Sequence, residues 1–111
     1  MTGIDRIAAE RKRQIEKEGW TPRHDDAHVN GELAAAGACY ALVPGEEPAG
    51  TDLPDEWPEG WDEQWWKPSP NNRIRELEKA GALIAAEIDR LLRIKKTYDA
   101  FRAHAYNGQT S

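Results

Sequence analysis

Cysteine is almost missing from this 111-residue chain: Cys39 is the only one, so no disulfide can form within it. The neighbours Ala38, Tyr40 and Ala41 mark Cys39 as a small buried hydrophobe. Long apolar runs are missing too, the longest falling far short of a membrane span. The opening "MTGIDRIAAERKR" lacks the apolar centre of a secretory signal, which predicts a cytoplasmic protein with no membrane partner. An excess of positive charge is also lacking. The net charge is −5, which argues against general nucleic-acid binding through a basic surface. No segment repeats, and none is of low complexity. What remains is 39% hydrophobic and 32% charged residues, a composition suited to one soluble, helix-rich domain spanning 1–111.

Charge is divided unevenly along the chain. Residues 1–43 carry seven acids and six bases, 44–70 eight and one, and 71–111 five and eight. Three helices account for most of the length, predicting an all-α bundle. The first covers 1–19, with Thr2 and Asp5 in a capping-box pattern, a thin stripe of Ile4, Ile7, Ala8, Arg11 and Ile15, and Gly19 as its stop. Trp20 is expected to close over its end. The second is predicted over 25–43, with Asp25 or Asp26 as N-cap and Pro44 beyond its end. Leu33, Ala36, Gly37 and Tyr40 form its seam. With so little side-chain volume, that seam is stable only against a closely approaching partner. The third covers 71–105, capped by Asn71 or Asn72. Ile74, Leu77, Gly81, Ile84, Ile88 and Leu91 recur at spacings of 3 and 4, which predicts a packed seam, and the thinner stretch beyond Leu92 points to a second chain as partner. Residues 106–111 form a tail.

Residues 44–70, "VPGEEPAGTDLPDEWPEGWDEQWWKPSP" with Val43 at its head, make an acidic, Pro-rich loop that holds Trp57, Trp61, Trp65 and Trp66. Loops of this length inside compact domains are often functional. Each ring can bury on the order of 150–250 Å², so Trp57 and Trp61 are expected to cap the thin bundle. Trp65 and Trp66, beside Lys67, suit either that role or a platform for a nucleobase.

Two sets of side chains carry candidate chemistry. His24, His28 and Glu32 stand at helical ligand spacing, but zinc would need a fourth group. Oxygen donors for Mg²⁺ or Mn²⁺ are better supplied, by Asp25, Asp26 and Glu32. The plainer alternative makes one Asp a cap and both His ordinary polar neighbours. On the third helix Glu76, Lys79, Leu83 and Glu87 share one face, and a lone Glu–Lys pair of this kind is usually a solvated surface pair.

The segments "ERKRQIEKEGW", "HDDAHVNGELAAAGACYA", "WWKP" and "RELEKAGALIAAEIDRL" resemble, over about residues 4–93, a family of phage and prophage proteins. That family is related to the MazG-like all-α nucleotide pyrophosphohydrolases, some described as dATP/dGTP diphosphohydrolases. Such proteins set acidic ligands on two facing helices, as E-x-x-E or E-E-x-x-E and as E-x-x-D, to hold Mg²⁺ on a triphosphate. Glu32 matches the first set, with His28 at its upstream position; Glu76 matches the second, with Lys79 three residues later. The resemblance implies catalysis by Glu32, Glu76 and Lys79, and a metal held by Glu32 and Glu76 with Asp25, Asp26 or Glu87. It implies substrate contacts from His24, His28, Trp65, Trp66, Lys67 and Arg75, cleavage of a (d)NTP to monophosphate and pyrophosphate, a homo-oligomer, and the host cytoplasm as location. The lost carboxylates favour an alternative, a phage protein that sequesters a nucleotide or nucleotide-derived signal through Lys79, Arg75, Arg73 and the tryptophans. A purely structural helical oligomer is the third reading.

Overall fold

The computed structural model describes residues 1–42 and 53–109; Val43, the first part of the acidic loop and the end of the tail lie outside the described residues. Helices dominate, and no strand occurs among the described residues. No helix among them is long and apolar enough to cross a membrane.

Helix α1 spans Gly3–Glu18 and begins at the expected capping box: the Thr2 hydroxyl accepts from the Asp5 amide while the Asp5 carboxylate accepts from the Thr2 amide. Gly19 ends it at φ 75°, a conformation that favours glycine.

The predicted second helix is two helices. Helix α2, Pro22–Asp26, starts earlier than expected because Thr21 caps it, its hydroxyl accepting from the His24 amide, with Pro22 preset for the first turn. The chain then turns through 27–31, where Gly31 takes φ 79°. Helix α3 begins at Glu32 and is described to Leu42; the Glu32 carboxylate accepts from the Asn30 amide at 2.8 Å, which ties the preceding turn to the helix start. Asp25 and Asp26 therefore end a helix rather than begin one. Helix α4 runs from Arg73 to Gln109, with the Asn72 side chain accepting from the Arg75 amide at 3.1 Å.

Helices α1 and α3 both pack antiparallel on α4. Gly37 lies so close that a Cβ there would stand 3.1 Å from the Ala80 carbonyl oxygen, 3.1 Å from Ile84 and 3.4 Å from Leu83. The close pairing of small-residue surfaces is as expected. At the far end of α3, Arg73 donates to the carbonyls of Tyr40 and Ala41, which the helix C-terminus leaves open. On the other side Ile7 presses on Gly81, and Glu10 meets Arg75.

The third-helix seam departs from expectation. Ile74, Ile84, Ile88 and Leu91 are 62%, 43%, 52% and 51% exposed, whereas Glu76, Ala80, Leu83, Ala86, Glu87 and Arg90 face inward. The physical reason is the small seam of α3: Gly37 comes so near Ala80 and Leu83 that their row of α4 turns inward, which leaves Ile84 at the edge of the contact and Ile74, Ile88 and Leu91 outside it. The core consists of Leu33, Ala36, Cys39, Tyr40, Ala80, Leu83 and Ala86, completed by Trp57, Trp61 and Trp66.

Consecutive turns place the indoles at 57, 61 and 65, and Trp66 follows directly on the last. The amide of Trp57 donates to the Pro54 carbonyl, Trp61 to Pro58, and Trp65 to Asp62. Each turn starts at a residue suited to it and delivers an indole three positions later. Trp57 and Trp61 cap the bundle as predicted, 5.6 Å apart and edge to face.

Candidate functional site

Two groups of polar side chains are built on this frame. The first lines a recess of about 180 Å³ between α1, the start of α4 and the tryptophan segment. Lys67, Arg75, Lys79 and Trp65 meet there, joined by Arg13, Glu10, Gln14, Glu18, Trp20 and Tyr40. Lys79 Nζ donates to the Lys67 carbonyl (2.6 Å) and the Ser69 hydroxyl (3.1 Å), and stands 5.6 Å from the centre of the Tyr40 ring. Burial, with the nearby charge of Arg75, holds its pKa below the ordinary lysine value. The Tyr40 hydroxyl accepts from the Lys67 amide at 2.9 Å and donates to the Trp65 carbonyl at 3.2 Å; burial pushes it up to about 12.

Glu10 is a buried carboxylate in the lining of the recess. Burial alone would raise its carboxyl, but hydrogen bonds and charge from Arg13 (2.6 Å) and Arg75 (2.9 Å) outweigh that and hold it below the ordinary value. Beside it, the buried Gln14 Oε1 has no hydrogen-bond partner among the described residues. The lining carries four cations against two carboxylates, and Glu78 behind it also pairs with Arg75 at 3.3 Å, which leaves a surplus of one positive charge.

The second group surrounds the α2–α3 turn. Asp25 is fully buried, paired with Arg11 Nη2 at 2.5 Å and with His24 Nδ1 at 3.1 Å. His28 Nδ1 stands 3.3 Å from Glu32 Oε2, and the Nε2 atoms of His24 and His28 face each other at 3.4 Å. Trp20 lies parallel to the His24 ring and Trp61 meets the His28 ring edge-on.

The family models, the curated proteins and the solved structures yield no match to this chain. The site therefore rests on its own geometry.

That geometry separates residues expected to act together. Glu32 heads α3 and Glu76 lies beside its other end, where Arg73 stands 3.5 Å away and the Ser69 amide donates to it. Glu87, eleven residues on from Glu76 and so about 16 Å along the axis, pairs with Arg90 at 2.5 Å. Asp26 is on the outside, paired with Arg93 at 2.7 Å. The antiparallel packing of α3 on α4 sets the start of α3 opposite the middle of α4, which is why acids 32 and 76 do not converge. Trp66 is 8% exposed and packs on Tyr40 at 4.6 Å, so it is a core ring rather than a pocket wall. His24 and His28 belong to the second group, and Arg73 is occupied with α3 carbonyls.

Sequence reasoning missed Arg13, Gln14 and Tyr40. Arg13 stands three residues after Glu10, a spacing that places both on one helix face. Tyr40 is the one polar tip in an otherwise apolar seam, a usable signal that such a ring holds a partner at its end.

Proposed function

We propose that this protein binds a phosphate-bearing aromatic ligand of the nucleotide class in the recess walled by Lys79, Arg75, Trp65 and Tyr40. The observation that carries the reading is the surplus positive charge gathered beside aromatic rings in one half-enclosed cavity. A volume of about 180 Å³ is below the usual range of small-molecule sites, roughly 300–1,000 Å³. It suits the phosphate, leaving the base at the mouth against Trp65, whose ring is 38% exposed. Lys79 and Arg75 neutralise the phosphate, and Gln14 Oε1 offers an acceptor for an N–H or O–H of the ligand.

Binding is favoured over hydrolysis. Mg²⁺ or Mn²⁺ chemistry of the MazG-like kind needs converging carboxylates, and the acids available do not fit a shared ion. Asp25, Asp26, Glu76 and Glu87 each face an arginine, and Glu32 lies away from Glu76. The resemblance and the recess together support the sequestering alternative.

Isothermal titration with dAMP, dATP and inorganic pyrophosphate tests this. Saturable nucleotide binding is expected, weakened at least tenfold in Lys79→Met, since a charged hydrogen bond contributes about 1.5–3 kcal/mol. Trp65→Ala should weaken nucleotides more than pyrophosphate, because stacking is worth about 1–3 kcal/mol per base. Absence of binding at millimolar ligand, or an unchanged Lys79→Met variant, overturns the reading; release of pyrophosphate from dATP restores the hydrolase.

We further infer a homo-oligomer joined along the outer face of α4. Ile74, Leu77, Ile84, Ile88 and Leu91 keep their regular spacing and lie half exposed or nearly so on one side of a 37-residue helix. A two-fold axis sets such a stripe against its own copy, and uncovered apolar stripes of this extent mark interaction sites.

A further inference from the structure

The second polar group carries an inference independent of the recess. Each of its imidazoles has a carboxylate at Nδ1: Asp25 Oδ1 at 3.1 Å from His24, and Glu32 Oε2 at 3.3 Å from His28. A carboxylate accepts but does not donate, so a ring in its neutral form carries its proton on Nδ1 and presents a lone pair at Nε2. Those two Nε2 atoms are 3.4 Å apart. With the ring centres 4.8 Å apart, the two nitrogens converge towards a common point rather than meeting head-on, and lone pairs so placed suit a cation held between them.

The separation itself indicates what fits. Zinc–imidazole bonds of about 2.0–2.1 Å at a tetrahedral angle place two ligand nitrogens about 3.3–3.4 Å apart. A carboxylate behind each ring is also the usual arrangement around metal-bound histidine, where it fixes the tautomer and raises the basicity of the ligating nitrogen. The rings cannot swing freely: Trp20 is parallel to His24 at 5.9 Å between centres, Trp61 meets His28 at 5.0 Å, and Asp25 is locked by Arg11. Solvent still reaches both, with side chains 28% and 18% exposed.

We propose that His24 and His28 hold one divalent transition-metal ion of the zinc class through their Nε2 atoms, with Asp25 and Glu32 positioning the rings from behind. Water or an incoming ligand completes the coordination, because no group of three His, Cys, Asp or Glu side chains converges among the described residues. Two nitrogen donors select Zn²⁺, Co²⁺, Ni²⁺ or Cu²⁺ over Mg²⁺, which prefers oxygen. The sequence alone ranks oxygen ligation higher because it offers zinc no fourth group; here water or an incoming ligand takes the remaining places, and the turn at 27–31 that brings the two Nε2 atoms together is not visible in it.

The test titrates the full chain with Zn²⁺ by calorimetry, with Mg²⁺ as comparison. One Zn²⁺ per chain is expected, with Mg²⁺ giving no competing heat. His24→Gln and His28→Gln should each weaken Zn²⁺ at least tenfold and Glu32→Gln by a smaller factor, whereas His104→Gln, the remaining histidine, should leave it unchanged. Circular dichroism confirms that each variant is folded. Should either histidine variant not fold, Cu²⁺ bound to the unaltered chain reports directly: electron paramagnetic resonance should show coupling to two imidazole nitrogens. Zinc binding that survives both histidine substitutions, or a Cu²⁺ spectrum with fewer than two nitrogens, overturns the proposal. Lys79→Met should not alter Zn²⁺ binding, so the metal site and the recess stand or fall separately.

Discussion

Tyr40 and Cys39 are adjacent, buried residues whose protons are held tightly by the fold. Burial pushes the Cys39 thiol from 9.0 up to about 11 and the Tyr40 hydroxyl from 10.0 up to about 12. For such groups the folded chain retains protons that the unfolded chain releases. Their stabilisation is complete below the unfolded values and is lost as pH rises through 9 towards 12. A tenfold change in proton affinity corresponds to about 1.4 kcal/mol, so a loss on the order of a few kcal/mol is expected in that window. Urea denaturation at pH 8, 10 and 11 should show the midpoint falling, with a shallower fall in Tyr40→Phe; an identical slope in the variant would remove Tyr40 from this account. At this scale the sequence is legible where a residue's surroundings are local. The capping box at Thr2 and Asp5, the Gly19 stop and the buried cysteine follow from near neighbours. Trp66 packs on Tyr40, twenty-six residues earlier, so its role does not follow from the residues on either side.

Among the elements, the contact between α3 and α4 carries the greatest demand. Space for a Cβ at Gly37 is bounded by the Ala80 backbone oxygen at 3.1 Å, which cannot rotate away as a side-chain end could. Gly37→Leu should therefore force the helices apart and cost about 1–3 kcal/mol, seen as a lower thermal midpoint. An unaltered midpoint would mean that the two helices are not so close. That small residues promise a close pair is readable from "GELAAAGACYA" and "KAGALIAAEI". The break between α2 and α3 is not, since the His24, His28, Glu32 spacing runs smoothly across it. Thr21 with Pro22, and Asn30 with Gly31, hold the signal in turn chemistry rather than in periodicity.

For the molecule as a whole, α4 shows its aliphatic residues to solvent and its acids, alanines and Arg90 to the interior. Ile88→Glu combined with Leu91→Glu should leave the fold intact and convert an oligomer to a monomer in sedimentation velocity. A monomer before substitution would refute the α4 interface. The regular spacing of this stripe is plain in the sequence, but spacing states only that a face is covered, not whether by the same chain or by another. The tryptophan segment adds a last consequence. Trp57, Trp61 and Trp66 are buried in contact with one another, and the indole N–H groups of Trp57 and Trp61 have no acceptor among the described residues. With its ultraviolet chromophores concentrated where the irregular segment meets the helices, the protein carries a built-in optical label for that junction. Any event that lifts the segment changes the light absorbed and emitted by several indoles at once.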